Sequence, residues 1–355
     1  MGGTADPRES VPAAIGREID ANGPITFARF MELALYGPGG FYEAAPIGPE
    51  GHFVTSPHVH PVYGELLASA VRELWEGLGR PRPLRITEVG AGDGTLARSL
   101  LGHTGEIPVR YTAVERSPGA RSALASVAEV EVRERLTEPA DLVLANELLD
   151  NLPFRILRGH REVRIAHGAG GLEEVLVEPD GEIAGMARAD DERVVPVGAF
   201  AFVDELTAAL SPGYALLIDY GALGSSGGPV HGYRGHTLVE DLLAEPGTAD
   251  ITAGVDFELV AAYAEARGAT TFPTVTQRAA LLALGLRDRI QDELLTQRMQ
   301  LEAGEGRAAV ATWSGRSQAS LLVDPGGLGR LRWLLLATQG LDPPPWLLRA
   351  AQGSD

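Results

Sequence analysis

Leu84-Arg85-Ile86-Thr87-Glu88-Val89-Gly90-Ala91-Gly92-Asp93-Gly94 is the stretch on which the reading of this chain turns. Its first six residues are an apolar run of strand length, and residues 95–101 have helical character. Between them lie three glycines at alternate positions. A glycine-rich turn from strand to helix lets a ligand lie against bare backbone, where a side chain would fill the ligand's space. With 44 glycines in the chain such triplets arise by accident, so the weight rests on the strand–turn–helix context. Spacing discriminates further. Dinucleotide sites use G-x-G-x-x-G and seat a pyrophosphate on the helix N-terminus. Here the third glycine comes one residue early. Glu88, at the end of the strand, can accept from a cationic amino acid moiety. Glu115, ending a second strand at 109–114, can accept from both hydroxyls of a ribose. Those features fit S-adenosylmethionine, which carries an ammonium and a sulfonium but no pyrophosphate. Alone, Glu115 would read as a solvated loop residue; the glycine loop gives it meaning.

Outward from this stretch, strands and helices alternate. A helix is expected at 118–127, a short strand at 130–132, and a buried strand at 141–145 that runs into Asn146-Glu147-Leu148-Leu149-Asp150. Such alternation marks βαβ units and a parallel sheet. Upstream, residues 11–36 read as two short helices with Thr26 as an N-cap, 48–61 as irregular chain, and 62–78 as a helix. Downstream, 154–197 switches to short alternating runs, the pattern of antiparallel hairpins. A helix at 200–210 and a strand at 214–218 follow, and then a glycine- and serine-rich loop to Gly235. Residues 257–267 and most of 277–322 read as helix, and 331–337 as a last strand. The expected organisation is therefore an N-terminal cap (1–64), a first half of the core (65–153), a β-rich insertion (154–199), a second half (200–275), a helical insertion (276–327) and a final strand with a tail (328–355).

Composition narrows the chemistry. The chain has no cysteine, which excludes disulfides, thiolate nucleophiles and cysteine-bound metals. All 30 basic residues are arginine, which excludes Schiff-base chemistry on lysine and a P-loop lysine. The net charge of −18 repels phosphate backbones, so nucleic acid is not an expected partner. No run approaches 18 apolar residues, so no membrane span is expected, and residues 1–10 lack the features of a signal or transit peptide. These readings point to a cytoplasmic protein and leave a homodimer open.

A sulfonium methyl is already electrophilic. An enzyme using it must align the nucleophile, exclude water and, where needed, remove a proton. Groups for this work belong at the carboxyl ends of the sheet strands, where Asn146, Glu147 and Asp150 lie. Glu147 and Asp150 share a face if their segment turns helical, and two carboxylates can clamp a guanidinium. The plainer reading makes Asp150 a helix cap and Glu147 a solvated side chain. Asp219 and Tyr220 end another strand and are weaker candidates. His58 and His60 would share a face of an extended segment, but no third ligand is evident, so no metal is expected. Tyr36, Phe41 and Tyr42 serve equally well as a cap over a cofactor or as packing.

The ordered series Leu35-Tyr36-Gly37-Pro38-Gly39-Gly40-Phe41-Tyr42, Phe53-Val54-Thr55-Ser56-Pro57, the glycine loop through Thr95-Leu96, Asn146-Glu147-Leu148-Leu149-Asp150-Asn151-Leu152-Pro153, Ile218-Asp219-Tyr220-Gly221 and Asp250-Ile251-Thr252-Ala253-Gly254-Val255-Asp256-Phe257 resembles the MidA-like methyltransferases. That family includes a mitochondrial complex I assembly factor that methylates protein arginine. The resemblance implies an α/β fold: a Rossmann-like class I methyltransferase sheet with an N-terminal helical cap and inserted β-hairpin and helical segments. It implies that Thr55, Ser56 and Pro57 fold near S-adenosylmethionine and that Asn146-Glu147 border the acceptor pocket. Joined to the residues read above, the expected cofactor contacts are Thr55, Ser56, Pro57, Glu88, Gly90, Gly92, Gly94, Thr95, Leu96 and Glu115, and the expected catalytic residues are Asn146, Glu147 and Asp150. The chain departs from the pattern at His52 and His58, where acidic residues are usual, and at Gly254, where histidine is. The leading expectation is methyl transfer to a nitrogen nucleophile, first of all protein arginine. Alternatives are N- or O-methylation of a small molecule, a nicotinamide-dependent oxidoreductase, and a non-catalytic assembly factor.

Overall fold

A computed structural model describes residues 10–44, 55–181, 183–187, 192–224, 229–235 and 237–353. His52, Phe53, Val54 and the low-complexity patch 225–228 lie outside the described residues.

The centre is one twisted sheet. Its strands are numbered here β1 (Leu84–Val89), β2 (Val109–Val114), β3 (Val130–Arg133), β4 (Ala140–Asn146), β5 (Leu210–Asp219), β6 (the two short segments Thr270–Thr271 and Val275–Thr276) and β7 (Arg332–Ala337). Their order across the sheet is β3-β2-β1-β4-β5-β7-β6. The pairs from β3 to β5 are parallel, and β7 is antiparallel to both its neighbours. Runs such as Leu142-Val143-Leu144-Ala145 and Ala215-Leu216-Leu217-Ile218 are apolar throughout because both faces are covered. Leu142, Leu144, Leu216 and Ile218 enter one core with helices Val62–Gly77 and Thr95–Leu101. Val143, Ala145, Ala215 and Leu217 enter the other with helices Val197–Ala209 and Phe257–Ala266. The period of two assigns each side chain to its face.

Among the described residues, four helices begin where a side-chain oxygen accepts an otherwise orphaned amide. Thr26 accepts from Arg29 N, Ser117 from Ala120 N, Asp256 from Leu259 N and Thr276 from Ala279 N. Thr26 is the cap expected from sequence.

A second sheet flanks the first. Antiparallel strands Arg155–Arg158, Arg161–Gly168, Gly171–Val177 and Glu192–Val195 supply most of it, and Ile25–Thr26 pairs with Arg164 and Ile165. Phe27, Phe30, Met31 and Leu35 of the N-terminal helices share one core with Phe154, Ile156, Val163 and Ile165. The N-terminal helices and the mid-chain strands are thus a single wall.

Some local expectations are corrected. The segment read as loop to Gly235 contains Gly221–Ala222, paired with Val255–Asp256, and His231–Arg234, the centre of a three-stranded sheet with Thr237–Val239 and Asp250–Thr252. Glycines had hidden it: Gly232 sits where a Cβ would meet Leu242 Cδ2. β5 begins at Leu210 rather than 214, so the preceding helix is Val197–Ala209. The C-terminal tail is a helix, Pro345–Gln352, whose Trp346 is buried edge-on against Trp333.

Candidate active site

The carboxyl ends of β1, β2, β4 and β5 open into one cavity of about 1470 Å³, also lined by Tyr36 and Tyr42 of the flanking wall. That exceeds the roughly 300–1,000 Å³ of a typical single-ligand pocket, leaving room for a cofactor and an acceptor together.

One end is built by the glycine loop. Gly90, Gly92 and Gly94 have φ of 74°, 54° and 78°, a region that L-residues with a Cβ rarely adopt. Gly90 and Gly92 line the cavity with Ala91, Asp93, Thr95 and Leu96. Glu115 lines it as well. Its Oε2 accepts from Gly92 N (3.0 Å) and its Oε1 from Ser117 N (2.8 Å), which fixes the carboxylate while each oxygen keeps a further lone pair. A rigid carboxylate beside a bare backbone is what an adenosyl ribose requires, so these residues fit S-adenosylmethionine. Glu88 faces the same cavity, and its Oε2 accepts from Tyr111 OH at 2.7 Å.

Sequence reasoning gave Asp93 no role of its own, yet it organises this end. Its carboxylate accepts from Thr95 N and Thr95 Oγ1 (both 3.0 Å) and lies 3.3 Å from His58 Nε2. His58 Nδ1 is 2.8 Å from Thr55 Oγ1. Instead of pairing with His60 for a metal, His58 ties residues 55–59 to the glycine loop. His60 Nδ1 accepts from Val62 N.

The other end is acidic and aromatic. Asn146 Oδ1 accepts from Tyr63 OH (2.5 Å), and its Nδ2 donates to Glu147 Oε1 (3.3 Å), which also accepts from Ser56 N (2.8 Å). Glu147 has φ of 53°, which turns the chain out of the sheet just after its amide has bonded Ile218 O. Asp150 Oδ1 is buried with no hydrogen-bond partner among the described residues. Asp250 accepts from Tyr42 OH (2.7 Å) and from Asn151 Nδ2. Tyr36 stacks on Tyr42, donates to Asn151 O and carries Arg116 over its ring at 4.6 Å.

Burial raises the proton affinity of the carboxyls here. It pushes Glu88 up to about 8 and Glu147 to about 7. Asp219 and Asp250 rise to about 6 from the same cause. Asp150 is raised well above its ordinary value, first through burial and then through the charges of Asp219 and Asp250. Against its own burial, hydrogen bonds from His58 and Thr95 bring Asp93 down to about 2. The raised groups bind protons in the native state between about pH 4 and 8 that the unfolded chain does not bind, so stability rises as pH falls through that range. Asp93 opposes this only below its unfolded value near 4. Calorimetry should find a higher Tm at pH 6 than at pH 8; a lower one would contradict the burial of these groups.

Of the residues expected to hold the cofactor, Thr55, Pro57, Glu88, Gly90, Gly92, Thr95, Leu96 and Glu115 line the cavity, and Ser56 and Gly94 do not. Ser56 is fully buried with its hydroxyl toward Gln277, and it reaches the site through Glu147, whose carboxylate accepts from its amide. A Cβ on Gly94 would lie 2.9 Å from Leu124 and Val127, so this glycine admits the next helix rather than a ligand. Asn146, Glu147 and Asp150 come together in the cavity, on an irregular turn rather than one helical face. Asp219 and Asp250 hold more of this site together than sequence reasoning gave them; the signals were the strand end at Asp219 and the place of both in the motifs that carry the family resemblance.

A sheet of this order, parallel but for its last two strands, with a glycine turn after β1, a fixed carboxylate after β2 and a cavity at the carboxyl ends, defines a class I S-adenosylmethionine-dependent methyltransferase. The family described as "Putative S-adenosyl-L-methionine-dependent methyltransferase" matches residues 66–275, more than half of the chain. The chain belongs to that family. It is 30% identical over 314 residues to the mitochondrial protein arginine methyltransferase NDUFAF7 homolog of Drosophila melanogaster, covering 73% of this chain and 71% of that protein. It is 28% identical over 340 residues to mitochondrial NDUFAF7 of Danio rerio, covering 80% and 78%. A Burkholderia thailandensis protein solved with S-adenosyl-homocysteine shares the fold (TM-score 0.81, 24% identity, covering 95% of this chain and 94% of that one). The expectation of a cytoplasmic protein does not stand, because these curated relatives are mitochondrial.

Proposed function

We propose that this enzyme methylates a guanidinium nitrogen of arginine in a protein. The observation that carries the reading is the cavity's second end, where the unpartnered Asp150 Oδ1 lies with Glu147 and Asp250 among tyrosines. Carboxylates recognise a planar cation through paired N–H bonds, and aromatic faces stabilise it further. The relatives named protein arginine methyltransferases support the same acceptor.

In this reading Gly90, Gly92, Thr95, Leu96, Glu115, Glu88, Thr55 and Pro57 hold the cofactor. Ser56 and Gly94 support them from outside the cavity. When bound, S-adenosylmethionine supplies a methyl carbon already activated by its sulfonium. Asp150 and Asp250 orient the guanidinium, and Tyr36 and Tyr42 cover it against water. The receiving nitrogen must shed one proton. Glu147 accepts it, and its raised affinity matches a base working near neutral pH. Asn146 and the Ser56 amide hold that carboxylate in place.

The test is transfer of labelled methyl from S-adenosylmethionine into a protein extract, followed by acid hydrolysis. Label should appear in methylated arginine. Label confined to small molecules would overturn the acceptor assignment and favour the small-molecule alternative.

A further inference from the structure

Asp219 ends β5 with no solvent exposure and has no part in the chemistry proposed above, yet it collects four backbone amides and lies against the Asp150 carboxyl. Its Oδ2 accepts from the N–H groups of Leu148 (2.9 Å), Leu149 (2.6 Å) and Asp150 (3.3 Å), and its Oδ1 accepts from Tyr220 N (2.7 Å). Three of the amides belong to consecutive residues. They converge because Glu147 turns left-handed and Leu149–Asn151 closes a single helical turn. A carboxylate at the head of such a turn satisfies donors that would otherwise be orphaned. The far side of the turn is pinned by Ala253 N donating to Asp150 O (3.1 Å).

We propose that Asp219 is the positioning residue of the acceptor site: it folds the turn that presents Glu147 and Asp150 and sets its own carboxylate beside theirs. This rests on Glu147 receiving the proton of the acceptor nitrogen. Burial lifts Asp219 to about 6 against the four hydrogen bonds it accepts, so its carboxylate is ionised at neutral pH. A fixed charge beside Glu147 and Asp150 then opposes the ionisation of each, and it appears among the causes that raise both. The other groups facing the pair leave this role open. Asp250 adds a like charge from its own strand, and Tyr36 and Tyr42 from the cap, Tyr63 from helix Val62–Gly77 and Tyr220 after β5 are neutral. Arg116 and Arg330 lie over the rings of Tyr36 and Tyr220. None of these groups bonds the turn's amides.

Asp219→Asn separates the two parts of the role. With its oxygen toward the turn the amide still accepts from Leu148, Leu149 and Asp150, its NH2 gives up the bond from Tyr220 N, and the charge is gone. S-adenosylmethionine affinity should stay within about twofold, turnover should fall about tenfold or more, and the acid limb of the kcat–pH profile should move down by about one unit. Turnover and acid limb unchanged from the wild type would overturn the proposal. So would loss of cofactor affinity in step with turnover, the mark of general damage. A second measurement needs neither the variant nor an acceptor: carboxyl ¹³C titration of the wild-type protein. Asp219 should ionise at lower pH than Asp150, and the reverse order would overturn the proposal. Because that titration involves no methylation, it separates failure of this inference from failure of the arginine reading, which the labelled-methyl experiment decides.

Discussion

Gly92→Val should lose S-adenosylmethionine binding by at least about 100-fold in a calorimetric titration while the protein stays folded. Two effects act together. Gly92 sits at φ of 54°, and a residue with a Cβ there is strained by roughly 1–2 kcal/mol, more when β-branched. Relief of that strain would rotate the Gly92 amide that fixes Glu115. The isopropyl group would also enter the cavity where the bare loop faces it. The site is a cavity wall rather than core, so the circular dichroism spectrum should be preserved. Binding at wild-type strength would mean that the cofactor does not rest on this loop.

Glu147→Gln should lower turnover by about 10²–10⁴-fold, the usual contribution of a positioned general base, with cofactor affinity unchanged. The glutamine oxygen can still accept from Ser56 N and from Asn146, so the change is confined to the proton acceptor. The wild-type pH profile carries the sign of this role. Glu147, raised to about 7, acts as a base only when ionised, so the rate should climb through pH 7 and level off above it. In the variant that climb should vanish. Wild-type turnover in Glu147→Gln would remove Glu147 from the chemistry and return the search to Asp150.

Much of the architecture was legible because the core strands are buried on both faces. Leu84–Val89 and Val109–Val114 read as strands directly, and the turn after Val89 read as a ligand seat. Other features hid for physical reasons. Ile25–Thr26 is two residues long, and its partner lies in the middle of the chain, so no local pattern reveals it. The sheet around His231–Arg234 is built from short strands among glycines and polar residues. The motif at 90–94 invited one explanation for three glycines, yet Gly94 answers to Leu124 and Val127. The roles of Asp93, Asp219 and Asp250 depend on partners far away in sequence, namely His58, the amides of 148–150, and Tyr42 with Asn151. A carboxylate's chemistry is set by what surrounds it, and in this chain those surroundings arise only on folding.

The pairing of Ile25 with Ile165 also imposes a schedule on biosynthesis. A ribosome adds about 5–20 residues per second, so the amphipathic face bearing Phe27, Phe30 and Met31 emerges on the order of ten seconds before the strand that shields it. Until then that face is a natural client for a holdase chaperone. A fragment stopping short of Phe154 would possess the entire glycine turn and still be prone to aggregate.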